Sequence, residues 1–294
     1  MIDPNVCTAL ERFYGSKIVS SSRAHGGSIN EAFFVSFSDG EEFFLKYHHE
    51  PPEGFFAAEV HGLQALAEPG EIRVPRVVHF EERLDDRNLS LLLLEKLEAD
   101  TATPKKQEEF GRALARLHQT SSDRWGLARD NFIGLLPQVN RQAEAAQCSW
   151  GEFFSTRRLL PQASLGRSKG WFTQTAERLF EAKRDLIISK LHRDGQIPSL
   201  LHGDLWSGNV FWSKQGAALI DPAVYYGDRE ADIAMLELFG SPPRSFREAY
   251  EEVFPLEDGY EQRKVIHNLY HLMNHANLFG GSYVPSVLTT LETL

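Results

Sequence analysis

The pattern of apolar and polar positions divides this chain into an early stretch with strand texture and a longer, later stretch with helical texture. Residues 29–37 (INEAFFVSF) and 41–48 (EEFFLKYH) read as two strands joined across Ser38-Asp39-Gly40, where an Asp-Gly pair supplies hairpin turn chemistry. In residues 55–67, Phe56, Val60, Leu63 and Ala67 recur at helical spacing, so a helix follows the hairpin. RVPRVVHF and NLSLLLLEKL then read as two further strands. The second is almost wholly apolar, as a strand buried in a sheet is expected to be. The order is β-β-α-β-β.

From residue 98 the texture turns helical. Thr103-Pro104 forms an N-cap and first-turn pair, and Phe110, Leu114 and Leu117 make the stripe of a helix ending near His118. Residues 172–193 predict another amphipathic helix, with Gly195 as its terminator. Short apolar runs, PSLLHGD and GAALID, follow with NVFW between them, and Tyr260 to Phe279 is helical again with Val265, Leu269, Leu272 and Ala276 on one face. There are no internal repeats and no low-complexity segments. The expected fold is α+β in two lobes: a small antiparallel β lobe with one helix, residues 1–95, and a larger, mainly helical lobe, residues 96–294. The predicted hinge is Glu95-Lys96-Leu97.

The most specific stretch is Leu201-His202-Gly203-Asp204-Leu205-Trp206-Ser207-Gly208-Asn209-Val210, followed twelve residues after Asn209 by Asp221-Pro222. Phosphoryl transfer from ATP explains that spacing: one Asp orients or deprotonates the attacking hydroxyl, while an Asn shortly after it and a second Asp hold Mg²⁺. Asp204 is thus the candidate base, and Asn209 and Asp221 are the candidate ligands of a hard cation. The run from Ala217 to Ile220 is expected to be a buried strand that delivers Asp221 to the lobe interface.

Lys46 ends an apolar strand, where a lysine requires a partner or a route to water. Glu59, three residues after Phe56 and four before Leu63, falls within the apolar stripe of its helix. An ion pair between them resolves both placements and would present the lysine to the nucleotide phosphates. Gly26-Gly27-Ser28, just before the first predicted strand, could bring backbone amides to the phosphates, with Gly27 and Ser28 as neighbours. Glu95 and Leu97 at the hinge complete the predicted nucleotide site. Asp232, in an apolar stretch, is assigned hydrogen bonds to the catalytic-loop backbone and, with His202, a supporting role. Asp228 is either a helix N-cap or a substrate contact, and Trp206 either a wall for the substrate or a buried core indole. His267, His271 and His275 recur every four residues and read as a polar stripe without a metal.

The formal net charge of −10 offers no basic footprint for nucleic acid, and the most apolar run, Leu89 to Leu94, is far too short for a membrane span. Two cysteines, Cys7 and Cys148, exclude a disulfide framework and fit a reducing compartment. The expectation is a cytoplasmic monomer with no nucleic-acid or membrane partner.

HGDLWSGNV with IDPAVYYGDREADIAM, GGSINEAFFV, FFLKYH, WGLARDNFIG and SWGEFFSTRRLLPQ together resemble the fructosamine-3-kinase family over nearly the whole chain. Within the wider protein-kinase-like superfamily, the Asp and Asn pattern is shared with aminoglycoside phosphotransferases and choline kinases. Trp206 and the Asp130-to-Gly134 segment are more particular to the family. The resemblance implies ATP, Mg²⁺ and a ketosamine substrate phosphorylated at its 3-hydroxyl, leading to deglycation. Ser28 stands where a cysteine often follows the paired glycines, so a redox switch there is not implied. An aminoglycoside- or choline-type phosphotransferase and a catalytically silent nucleotide-binding scaffold are the competing readings. The complete set Lys46, Glu59, Asp204, Asn209 and Asp221 argues against the scaffold.

Overall fold

A computed structural model describes residues 1–24, 29–84, 88–141 and 148–294. The chain opens with a helix the hydrophobic reading passed over, α1 (Pro4–Tyr14). Its signals are nonetheless present: the Asp3 side chain caps it by accepting from the Asn5 N–H at 2.8 Å, Pro4 sits in its first turn, and Val6, Ala9 and Leu10 are buried. Then come β1 (Ile18–Arg23), β2 (Glu31–Phe37), β3 (Glu42–His49), α2 (Phe55–Ala67), β4 (Val77–Glu81) and β5 (Leu89–Glu95). These strands form one antiparallel sheet in the order β1-β2-β3-β5-β4. β1 was not predicted because it lies at the sheet edge and is exposed beyond its first residue, which leaves no apolar alternation to read.

The two faces of this sheet bury different helices. Phe33, Val35, Leu45, Leu91 and Leu93 pack with Val6 and Leu10 of α1, while Leu92 and Leu94 pack with Phe56, Val60 and Leu63 of α2. A strand between two helical layers has no wet side, which is why β5 reads as a continuous apolar run.

The second part begins with α3 (Pro104–Leu117), capped by Thr103. It continues through a hairpin of β6 (Asn131–Ile133) and β7 (Leu136–Gln138), then α4 (Trp150–Phe154), a π-helical turn (Ser155–Leu159), α5 (Leu160–Ser168) and α6 (Gln174–Leu191). A capping box between Ser149 and Glu152 starts α4. Next are β8 (Ser199–Leu201), β9 (Val210–Ser213), β10 (Gly216–Leu219), β11 (Tyr225–Gly227), α7 (Glu230–Leu238), α8 (Arg244–Val253), α9 (Tyr260–Phe279) and α10 (Tyr283–Thr293). β8 pairs with β11 and β9 with β10, both antiparallel. Among the described residues no helix is long and apolar enough to cross a membrane.

Two details differ from the expectations. α6 stops at Leu191, where His192 is extended, so Gly195 falls in the following turn and does not cap the helix. On α9, His267 and His271 are buried, whereas Val265 is exposed. His267 and His271 of the polar stripe therefore lie on an inner face, because α9 is covered by α5, α7 and α10, while His275 is half-buried.

Candidate active site

β8 carries the chain into His202-Gly203-Asp204, and a single 3₁₀ turn, Ser207–Asn209, returns it into β9. Asp232 on α7 anchors the start of this loop, its two carboxylate oxygens accepting from the His202 N–H at 2.7 Å and the Gly203 N–H at 2.9 Å. Burial favours the neutral carboxyl, but the His118 ring and these amides outweigh it and hold Asp232 below the usual carboxylate range. His202 is itself locked. Its Nδ1 accepts from the Asp204 N–H at 3.3 Å and its Nε2 donates to the Ile220 carbonyl at 2.9 Å, a pattern that requires the neutral ring. Burial lowers its pKa in the same direction.

Asp204 is half-buried. The Asn209 amide donates to its carbonyl at 2.8 Å and to its carboxylate at 3.3 Å, which leaves Asn209 Oδ1 as the acceptor for a cation. The Ile220 N–H donates to the Asn209 carbonyl at 3.1 Å, bringing Asp221 beside it. Asp221 adopts φ 55, a left-handed conformation uncommon for a residue with a Cβ and characteristic of strained functional positions.

Across the cleft, Lys46 in β3 pairs with Glu59 of α2 at 2.7 Å and also with Asp221. Lys46 and Glu59 are nearly inaccessible, while the Asp221 side chain is 47% exposed. Burial would pull the lysine down, yet the two carboxylates reverse this and raise it. Burial raises Glu59 despite the lysine. Gly62 on the same helix abuts Pro222, where an added Cβ would lie 2.9 Å from the proline Cγ, so α2 rests directly on the Asp221 loop. Burial, followed by the neighbouring Asp221 carboxylate, pushes Asp204 up to about 7. A half-buried carboxylate of that pKa beside a cation-ready Asn–Asp pair is suited to accepting a hydroxyl proton. All of the donors are oxygen atoms, as a hard divalent cation requires.

The remaining predicted residues fall in different places. Trp206 is 37% exposed, so it is not a core indole; its ring lies over Gly208 at the surface of the loop. Of the two readings of Asp228, the structure shows the cap-type bond at the start of α7. Asp228 is buried, accepts from Arg193 at 2.7 Å and Gln196 at 3.0 Å, and receives the Glu230 N–H at 3.0 Å. The Glu95 carboxylate bonds Arg73 and the Arg76 N–H, and its own N–H donates to Arg76 O at 2.9 Å. Leu97 is half-buried in the segment after β5. Gly27 and Ser28 lie outside the described residues.

Asp228, Glu230 and His267 also form a metal-like cluster. Arg263 bonds Glu230 at 2.7 and 2.8 Å and Arg193 reaches both acids, so guanidinium groups already neutralise the carboxylates. Sequence reasoning missed a buried polar group behind the Asp221 loop. The Asn131 amide donates to Val224 O at 2.8 Å, and the Gln138 amide to Ala223 O at 2.9 Å. Its only signal was the family-like Asp130-to-Gly134 segment, which named no role.

The fructosamine kinase family model matches residues 3–294. A protein named probable ketoamine kinase from Enterococcus faecium is 38% identical over 269 residues, covering 91% of this chain and 92% of that protein. Another of that name from Synechocystis is 41% identical over 263 residues, with 88% and 84% covered. The solved structure of a Thermobifida fusca protein described as a putative fructosamine-3-kinase superposes with a TM-score of 0.85 at 33% identity, covering 99% of this chain and 98% of that one. The gentamicin complex of the aminoglycoside phosphotransferase APH(2″)-IIa gives 0.64 at 13% identity, covering 100% and 97%, a likeness of fold alone.

Proposed function

Because the chain belongs to the fructosamine kinase family and has the protein-kinase-like fold, we propose that it is an ATP- and Mg²⁺-dependent kinase acting on the 3-hydroxyl of ketosamines, the sugar adducts of amines or of protein lysines. The observation that carries this reading is that the Glu59-paired Lys46 meets Asp221, which lies beside Asn209 and Asp204.

In this mechanism the substrate hydroxyl sits against Asp204, whose carboxylate orients it and takes its proton as the oxygen attacks the γ-phosphate. Asn209 steadies that carboxylate through its amide. Lys46, fixed by Glu59, presents its ammonium to the phosphate oxygens. Asn209 Oδ1 and Asp221 would hold Mg²⁺, which supplies charge neutralisation on the phosphates when bound with ATP. Trp206, exposed beside Asp204, offers an apolar wall to the sugar or its linker. Phosphate placed at C3 becomes an allylic leaving group once the ketoamine enolises toward C1; its departure leaves an imine at C1, which water hydrolyses to free the amine. The biological outcome is deglycation.

The test is ATP consumption with Mg²⁺ and a panel of a ribulosamine, a fructosamine, kanamycin and choline. Turnover on a ketosamine alone is expected. Turnover on kanamycin or choline alone would overturn the substrate assignment, and silence on all four would leave a different acceptor or a silent scaffold in its place.

A further inference from the structure

The β6–β7 hairpin touches both halves of the candidate site. At its base, Asn131 and Gln138 are opposite one another in register, and their amides donate to Val224 O and Ala223 O, the residues that follow Asp221-Pro222. Both side chains are buried, and a chain of hydrogen bonds prevents them from turning away. Gln138 donates to Asn131 Oδ1 at 2.9 Å, Asn140 donates to the same oxygen at 2.7 Å, and Tyr270 donates to Gln138 Oε1 at 2.9 Å. The buried Arg158 closes the set by donating to Asn140 Oδ1 at 2.7 Å, its guanidinium lying 4.0 Å from the Tyr225 ring centre. Buried amides bonded through both oxygen and nitrogen have one orientation.

On its opposite face the hairpin reaches the other lobe. Phe132 and Leu135 pack into the cluster formed by Phe55, Phe56, Val60 and Leu63 of α2, and the Phe132 ring meets Phe55 edge-on at 5.6 Å. Ile29, at the start of the segment leading into β2, joins the same cluster. α2 carries Glu59, which holds Lys46. One short element of the helical lobe thus grips the Asp221 loop with polar bonds and the Glu59 helix with apolar contacts.

We propose that this hairpin is a strut that sets the lysine side of the cleft against the metal side, with Asn131 and Gln138 positioning the Asp221 loop and Phe132 positioning α2. The catalytic meaning of the strut rests on the kinase reading above; the mechanical coupling does not. A contact that only holds two surfaces together would respond locally when cut. A strut transmits the cut to its other end.

The experiment is hydrogen exchange on the full-length protein, comparing wild type with Phe132→Ala, Phe132→Leu and Gln138→Leu. Cutting the α2-facing contact with Phe132→Ala is expected to speed exchange in residues 219–227 as well as in α2, with Phe132→Leu restoring both. Cutting the base with Gln138→Leu should speed exchange in α2 as well as in 219–227. Faster exchange confined in each variant to the segment it touches overturns the strut. In parallel, AMP-PNP binding is titrated with Mg²⁺. Phe132→Ala and Gln138→Leu should raise the Mg²⁺ half-saturation about fivefold to tenfold, while binding in EDTA stays within about twofold. An unchanged Mg²⁺ dependence overturns the positioning role. Failure of wild type to bind AMP-PNP overturns the nucleotide reading instead, and the exchange data then still decide the coupling.

Discussion

A Cβ atom placed on Gly203 would stand 2.0 Å from the carbonyl oxygen of Ala223. The residue before Asp204 and the second residue after Asp221 therefore meet backbone to backbone, and the Ala223 N–H donates to His202 O at 2.8 Å beside them. The candidate base and the candidate metal ligand share one frame.

Gly203→Ala breaks that frame twice, through the clash and through a φ of 83 that suits glycine. The expected cost is about 2–4 kcal/mol in urea unfolding, together with loss of turnover. An unfolding midpoint equal to wild type would show that the two loops separate freely.

Asp204 has a pKa of about 7 in the fold, against 3.8 for an ordinary aspartate. Between those values the native state keeps a proton that the unfolded chain has released, so this group's contribution to stability falls as pH rises through the window. Asp204→Asn is accordingly expected to melt about 2–5 °C above wild type at pH 8 in EDTA, with the difference vanishing near pH 4. The same variant should lose about 10³-fold or more in kcat while retaining nucleotide affinity. Parallel losses of affinity and rate would contradict its assignment as base.

Lys46→Met leaves the buried Glu59 carboxylate near Asp221 without its cation. The expected destabilisation is about 3–5 kcal/mol at pH 8. It should shrink at pH 5.5, because burial already raises the Glu59 pKa and protonation removes the unpaired charge. Urea melts at the two pH values test this. A penalty independent of pH would place its origin in lost packing.

Asp232→Ala removes the acceptor of the His202 and Gly203 amides, each worth about 1–3 kcal/mol when left unpaired in the interior. Asp228→Asn removes the buried negative charge that Arg193 pairs with. Both variants should lower the melting temperature. The acceptor KM of Asp228→Asn should stay at the wild-type value; a selective rise in that KM would return Asp228 to the substrate site.

Much of this architecture was legible because local signals and burial agree. Thr103-Pro104 starts α3, the spacing of Phe56, Val60 and Leu63 marks α2, and the unbroken apolar run of β5 records helices on both faces of its sheet. Lys46 and Glu59 could be matched before any coordinates, since a charge inside an apolar stripe demands an opposite charge. α1 was legible but unread. β1 was not, because an exposed edge strand is specified by its neighbour's hydrogen bonds and not by its own side chains.

The sequence by itself determined the order of elements, the charged pair in the small lobe and the spacing of Asp204, Asn209 and Asp221. Those features are set by residue type and by short separations along the chain. Only the tertiary structure decided that Asp228 is enclosed by Arg193 and Gln196, that His267 and His271 face inward, that Trp206 is exposed, and that Asn131 and Gln138 hold the Asp221 loop. An aspartate, histidine or asparagine has the same polarity whether it meets water or a buried partner. The partner comes from residues as distant as Asn131 and Val224, and only packing brings such groups together.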